Sequence, residues 1–219
     1  MRAIRHLVGT ATLALLLVAV ALPVAAGAQD ATPAVSPAPL GAAQCTVDPI
    51  DPATYGAAAV AATPEPATGD TSASEPADDA TAFAVYDTIV QSIACTNAGD
   101  LARLLAVIDP SYAQTLLGVP ADQVQAAIDA AVAAAPAPGE TATPLVDDND
   151  QSAIRSTLRG IDGIVTLPDG QVAATVQIDS PQTGPVTIVI YLRMGEDRYL
   201  ITNYVFLEPG ATPEATPVA

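Results

Sequence analysis

Few residues of this chain can do chemistry, and their types set narrow limits. The single histidine, His6, lies within the first 28 residues, which read as a removable leader. Beyond residue 28 the chain has no His, Lys or Trp. That rules out His-based general acid–base catalysis, Ser–His or Cys–His nucleophile pairs, and Schiff-base chemistry on Lys. Zinc sites built on His are also out, and two cysteines cannot make a Cys-only site, so no metal or cofactor is expected. Asp, Glu, Tyr, Arg and one pair of thiols remain. The hydroxyls of Tyr86, Tyr112, Tyr191, Tyr199 and Tyr204 are the candidate contacts for a ligand, although each ring also suits the core or its wet edge. Asp147-Asp148-Asn149-Asp150 resembles the start of a calcium loop, but it lacks the required Gly, and Arg159 stands where a closing Glu belongs; it reads as a solvated linker. Arg193, near the end of an alternating segment, could meet an acidic ligand, but reads first as the partner of a surface Asp or Glu, a pair worth little by itself.

Cys45 and Cys95 are the only cysteines. With no His or Lys to activate a thiol, they read as one disulfide in an oxidising compartment. The leader points the same way. Arg2 and Arg5 precede an apolar run from Ala11 to Leu22; Pro23 ends it, and Ala26-Gly27-Ala28 offers a cleavage site before Gln29. The chain is therefore expected to be secreted or held in the cell envelope, with no stable membrane anchor after cleavage. The mature chain carries five arginines against 24 acidic residues, a net charge of −19. Such a surface is repelled by phosphate backbones, so nucleic acid is excluded as a partner.

The elements that must position these residues follow from composition and period. Residues 29–80 are dominated by Ala, Pro, Thr, Asp and Glu and read as a disordered arm, held at Cys45 by the disulfide; residues 208–219 read as a similar tail. The folded part is 81–207. Over Thr81–Asn97, Phe83, Tyr86, Ile89, Val90, Ile93 and Ala94 fall on one helical stripe, with Cys95 on the opposite side beside Ala84, Thr88 and Gln91. A disulfide there would tie the arm across the outer face of the helix. Gly99 stops this helix, Asp100 caps a second, Asp109-Pro110 starts a third, and a fourth follows Pro120 with Val124, Ile128 and Val132 in line. The period then changes to two. Ile154–Leu167, the Val172–Ile178 alternation, the Val186–Leu192 alternation and Tyr199–Leu207 are four strands, separated by turns at Pro168-Asp169-Gly170, Ser180–Gly184 and Gly195-Glu196-Asp197. Helices first and an antiparallel meander second make the fold class α+β.

Asn97-Ala98-Gly99-Asp100, between a long first helix and a short second one, followed by Leu101-Ala102-Arg103-Leu104-Leu105 and Asp109-Pro110, resembles the nuclear transport factor 2-like superfamily, which includes ketosteroid isomerases and polyketide-cyclase-like proteins. The resemblance covers residues 81–207 and implies a cone, with helices packed in a curved four-stranded antiparallel sheet around a pocket. It does not carry the known chemistries across. Ser92 stands where the isomerases place an oxyanion-hole Tyr, no acid occupies Gln114–Leu116 where their general base falls, and an Asp–His pair is impossible. The expectation is a non-catalytic exported domain that binds a small apolar ligand or a protein partner. Two alternatives stand beside it: a dimerising structural module, and an isomerase or cyclase working through Asp and Tyr alone.

Overall fold

The structure is a computed structural model, and it describes residues 40–63, 74–135, 155–180 and 184–207. All of them belong to one compact unit, Ser36–Ala219. Residues 1–28, which carry the expected leader, the Asp147–Asp150 segment and residues 208–219 lie outside the described residues. Among those described, no helix is long and apolar enough to cross a membrane.

The architecture is α+β. Helices α1 (Pro52–Ala61), α2 (Asp79–Ala98), α3 (Leu101–Leu105), α4 (Pro110–Leu117) and α5 (Val124–Ala133) accompany strands β1 (Glu75–Pro76), β2 (Thr157–Thr166), β3 (Val172–Ser180), β4 (Gly184–Met194) and β5 (Tyr199–Leu207). The strands form one antiparallel sheet in the order β1-β2-β3-β4-β5. The expected count of four is therefore corrected to five. The extra strand is the two-residue β1, where Glu75 and Pro76 pair with Thr166 and Val165. It is too short, and too rich in Pro and Glu, to show a period.

Local signals explain the helix boundaries. Asp78 caps α2 by accepting from the Thr81 amide, and Gly99, at φ 70°, closes it in the left-handed conformation that costs glycine nothing. Asp100 accepts from the Arg103 amide to cap α3; Asp109 accepts from the Ser111 amide to cap α4, with Pro110 at the first helical position. The β2–β3 turn closes as its sequence suggests, with Gly170 at φ 83° donating to the Leu167 carbonyl.

The core lies between α2 and the inner face of the sheet. Val85, Ile89 and Ile93 of α2 meet Val172, Ala174 and Val176 of β3, Ile188, Ile190 and Leu192 of β4, and Ile201 of β5, nearly all of them fully buried. The period-two reading of β3 and β4 thus selects the correct face. The stripe assigned to α2 needs correction. Phe83 is 76% exposed and Tyr86 49% exposed, whereas Val85, Thr88 and Ser92 are buried. The reason is that α2 is covered on two sides. The sheet takes the Val85–Ile89–Ile93 side, and the Cys45–Val47 segment takes the side bearing Gln91 and Cys95. The two buried hydroxyls are satisfied within the protein: Thr88 donates to the Tyr199 carbonyl and Ser92 to the Ile89 carbonyl.

The Cys45–Cys95 disulfide forms, with Cα atoms 4.8 Å apart. The outer-face reading of Cys95 is corrected: it is wholly buried in the main core cluster under the N-terminal segment, and Thr88, two turns earlier on the same side of α2, donates to the Tyr199 carbonyl of β5. The reading of 29–80 as a disordered arm is corrected for its described parts. Beyond the disulfide, Asp51 caps α1, Ala59 is fully buried, and Tyr55 donates to the Ile108 carbonyl. α1 joins a second, smaller core with Leu105, Ala113, Val124 and Ile128. Small residues hide this helix from any hydrophobic-period test while allowing close approach. A side chain at Gly56 would run into Gln125. The missed signal was Asp51-Pro52, the same cap-plus-proline pair that marks α4.

Candidate functional site

A pocket of about 490 Å³ opens between α2, α4 and the inner faces of β3, β4 and β5. Its floor is apolar, with Ile93, Leu104, Ile188 and Ile190 buried at the base and Leu116, Ile178 and Val186 partly buried on the walls. The polar groups are hydroxyls: Ser92 and Thr96 of α2, Tyr112 and Thr115 of α4, Ser156, Ser180 and Tyr204. Among the described residues, no Asp, Glu, Lys or Arg lines it. The exposed ring of Phe206 stands on the rim.

Of the five tyrosines nominated from the sequence, two meet here. The rings of Tyr112 and Tyr204 lie 5.6 Å apart at 52°, a tilted contact of the kind aromatic quadrupoles favour. Burial pushes the Tyr204 hydroxyl well above the ordinary phenol range; a hydrogen bond with Ser92 opposes this, and nearby Tyr112 adds to it. Burial also raises Tyr112, against a backbone hydrogen bond with Tyr204. The other three are elsewhere. Tyr86 faces outward on α2. Tyr191 is buried on the opposite face of the sheet with Leu167 and Ala173. Tyr199 packs against the edge of the core, outside the pocket lining.

Tyr204 reaches the pocket through a bulge. Tyr191 pairs with Asn203 but Leu192 pairs with Ile201, so Thr202 is an extra residue in β5. Its hydroxyl donates to the Tyr191 carbonyl. Strict alternation from Ile201 would put Asn203 and Val205 inward. The bulge puts Tyr204 and Phe206 there and sends Val205 to the outer cluster.

The pocket edge at Ser156 is held by Asn97, the first residue of the Asn97–Asp100 turn. The Asn97 side chain accepts from the Ser156 amide at 2.7 Å and donates to the Ser156 carbonyl at 2.8 Å. It also donates to the Leu40 carbonyl at 2.9 Å, so one buried amide ties the N-terminal segment, α2 and the start of β2 together. Asn97 was not among the candidates, although it sits in the motif that carries the family resemblance.

Arg193 finds an acidic partner, but a buried one rather than the surface carboxylate expected. Its guanidinium lies 2.9 Å from Asp109, the cap of α4. Burial works to raise the Asp109 carboxyl, but hydrogen bonds from Ser111 and Arg193 outweigh it and hold the group below the usual carboxylate range. A backbone pair fixes the geometry: the Asp109 amide donates to the Ile201 carbonyl and the Ile201 amide to the Val107 carbonyl. This ion pair is structural and outside the pocket. A second recess of about 520 Å³, lined by Asp48, Asp51, Tyr55, Glu196 and Arg198 among others, is charged, and Arg198 there is paired with Asp197. Among the described residues, no three His, Cys, Asp or Glu side chains cluster to hold a metal.

Comparison with protein-family models, with curated proteins and with solved structures returned no match.

Proposed function

We propose that this protein is an exported, non-catalytic binding domain of the nuclear transport factor 2-like type, its curved sheet and helices forming a cone that takes a small apolar ligand. The observation that carries the reading is the pocket itself: an apolar floor ringed by hydroxyls, with the Tyr112–Tyr204 pair on its wall and no carboxylate in its described lining. A proton-abstracting isomerase or cyclase needs a base beside the substrate. Hydroxyls that titrate above the ordinary phenol range cannot serve as that base near neutral pH. A concave apolar site with a few convergent polar groups is instead what small-molecule binding uses. The Cys45–Cys95 disulfide supports an oxidising compartment.

Native mass spectrometry of residues 29–219, purified gently from its own source, tests this reading. The expected spectrum carries a discrete extra mass that vanishes on denaturation. An apo mass, together with no rise in melting temperature across a broad library of apolar compounds, refutes it.

A structural reading has one observation in its favour. On the outer sheet face Val165, Val189 and Val205 stay only partly buried over the buried Leu167, Ala173 and Tyr191, and a second copy could cover these three valines. Light scattering that finds only monomer at high micromolar concentration rules it out.

A further inference from the structure

The sheet covers one side of α2 and the N-terminal segment another, but a third side carries large rings in the open. Phe83 and Tyr86 are both exposed, and a spacing of three puts them next to each other on that face. Asp79 and Asp87, one turn before and one turn after Phe83, flank the rings and are exposed as well. Phe83 also walls a recess of about 350 Å³ between α2 and the β4–β5 turn, together with Asp87, Thr88, Val107, Asp197 and Arg198. This recess shares Asp197 and Arg198 with the charged recess beside Tyr55, so the two adjoin. Their linings hold five carboxylates, those of Asp48, Asp51, Asp87, Glu196 and Asp197, against one cation, Arg198. That cation is already engaged. Its guanidinium lies 3.0 Å from Asp197, and the hydrogen bond to that carboxylate, with the charges of Asp48 and Asp87 nearby, holds it protonated.

We propose that this face of α2 docks a basic, apolar segment of a partner protein, which lays an apolar side chain on Phe83 and Tyr86 and sets an arginine or lysine in the recess beside Asp87. Charge complementarity commits the face to that occupant. The rings supply apolar contact, and the surplus of carboxylates around them calls for positive charge. A cation held over the Phe83 ring gains from the ring's negative face as well. A second copy of this chain is a poor occupant, because it is itself strongly acidic and brings no lysine beyond residue 28. The proposal stands apart from the small-molecule pocket, whose lining includes neither Phe83 nor Tyr86.

Three dye-labelled peptides of one length and one amphipathic pattern test this: leucine with arginine, leucine with glutamate, and serine with arginine. Each is titrated by fluorescence anisotropy against the disulfide-intact mature protein. The leucine–arginine peptide should bind, and added sodium chloride should weaken it. Phe83→Ser and Asp87→Arg should each weaken it about tenfold, the scale of losing one anchor or reversing one charge at an interface. Both sites are exposed, so neither change disturbs the core. Asp162→Arg makes the same change of net charge at an exposed site on β2, outside both recesses, and should weaken binding by less than about twofold, since screening confines such effects to near neighbours. Equal losses from Asp87→Arg and Asp162→Arg would reduce the binding to net-charge attraction and overturn the docking face. A serine–arginine or leucine–glutamate peptide that binds as tightly as the leucine–arginine one overturns it too, as does a leucine–arginine peptide that does not bind. Sedimentation of the protein alone covers the remaining occupant: a dimer that Phe83→Ser dissociates puts a second copy on this face and ends the proposal.

Discussion

Asn97 clasps Ser156 from both sides, taking its amide proton and donating to its carbonyl, while the same side chain also donates to the Leu40 carbonyl. Three chain segments that share no secondary structure thus meet at one buried side chain. The pocket edge at Ser156 depends on it.

Asn97→Ala should lower unfolding free energy by about 3 kcal/mol, because it strands buried backbone groups at both ends of the clasp. Asn97→Asp keeps the acceptor for the Ser156 amide and loses both donations, so a folded aspartate variant is expected to fall between alanine and the parent. Urea denaturation of the three proteins gives the order. An alanine variant as stable as the parent would show that water replaces the clasp without cost.

The Cys45–Cys95 bond closes a loop of 50 residues in sequence separation. Replacing both cysteines by serine should cost about 4 kcal/mol in the chain-entropy account. It should also expose the side of α2 that the N-terminal segment covers. Denaturation midpoints with and without reductant measure the first, and amide exchange at Gln91 and Thr46 the second. Equal midpoints would mean that the Gln91 hydrogen bonds to Thr46 and Val47 suffice to hold the segment.

Asp109 gives the fold an acid-sensitive point. Its folded carboxyl titrates below the unfolded value of about 3.9. The stability it contributes is therefore present above that value and is lost as pH falls through the lower, folded one. A plot of stability against pH should drop below about pH 4, and Asp109→Asn should flatten part of that drop. Asp109→Ala should cost about 2 kcal/mol at neutral pH, the upper end for loss of a helix cap, since it also leaves the Arg193 guanidinium without this partner. An identical pH profile in the asparagine variant would locate the acid sensitivity elsewhere.

The bulge at Thr202 decides which side chains of β5 enter the pocket. Deleting Thr202 should restore plain alternation and turn Tyr204 and Phe206 to the outer face. Spectrophotometric titration reports this directly. Burial raises Tyr55 as well as Tyr204, so the parent should show more than one late-ionising tyrosine; Tyr204→Phe should remove one of them, and a folded deletion variant should lose one too. If the deletion variant loses none, the strand has re-registered around the deletion.

Much of this molecule can be read from local chemistry. The switch of period from helix to strand, the Asp caps at Asp100 and Asp109, the left-handed stop at Gly99 and the turn at Pro168-Asp169-Gly170 depend on neighbours a few residues away, and the structure agrees with each. The same is true of the inward faces of β3 and β4, where regular pairing keeps the period intact. The Cys45–Cys95 pairing followed from simple count. Tertiary structure decided what depends on distant contact. α2 is covered on two faces, so one apolar stripe could not describe it, and Phe83 and Tyr86 stay outside while Thr88 and Ser92 go in. α1 buries alanine and glycine, which carry almost no hydrophobic signal but fit a close helix contact. Tyr204 joins Tyr112 only because one residue of β5 is bulged out, and a bulge is set by the pairing of two strands, which neither strand's sequence carries alone.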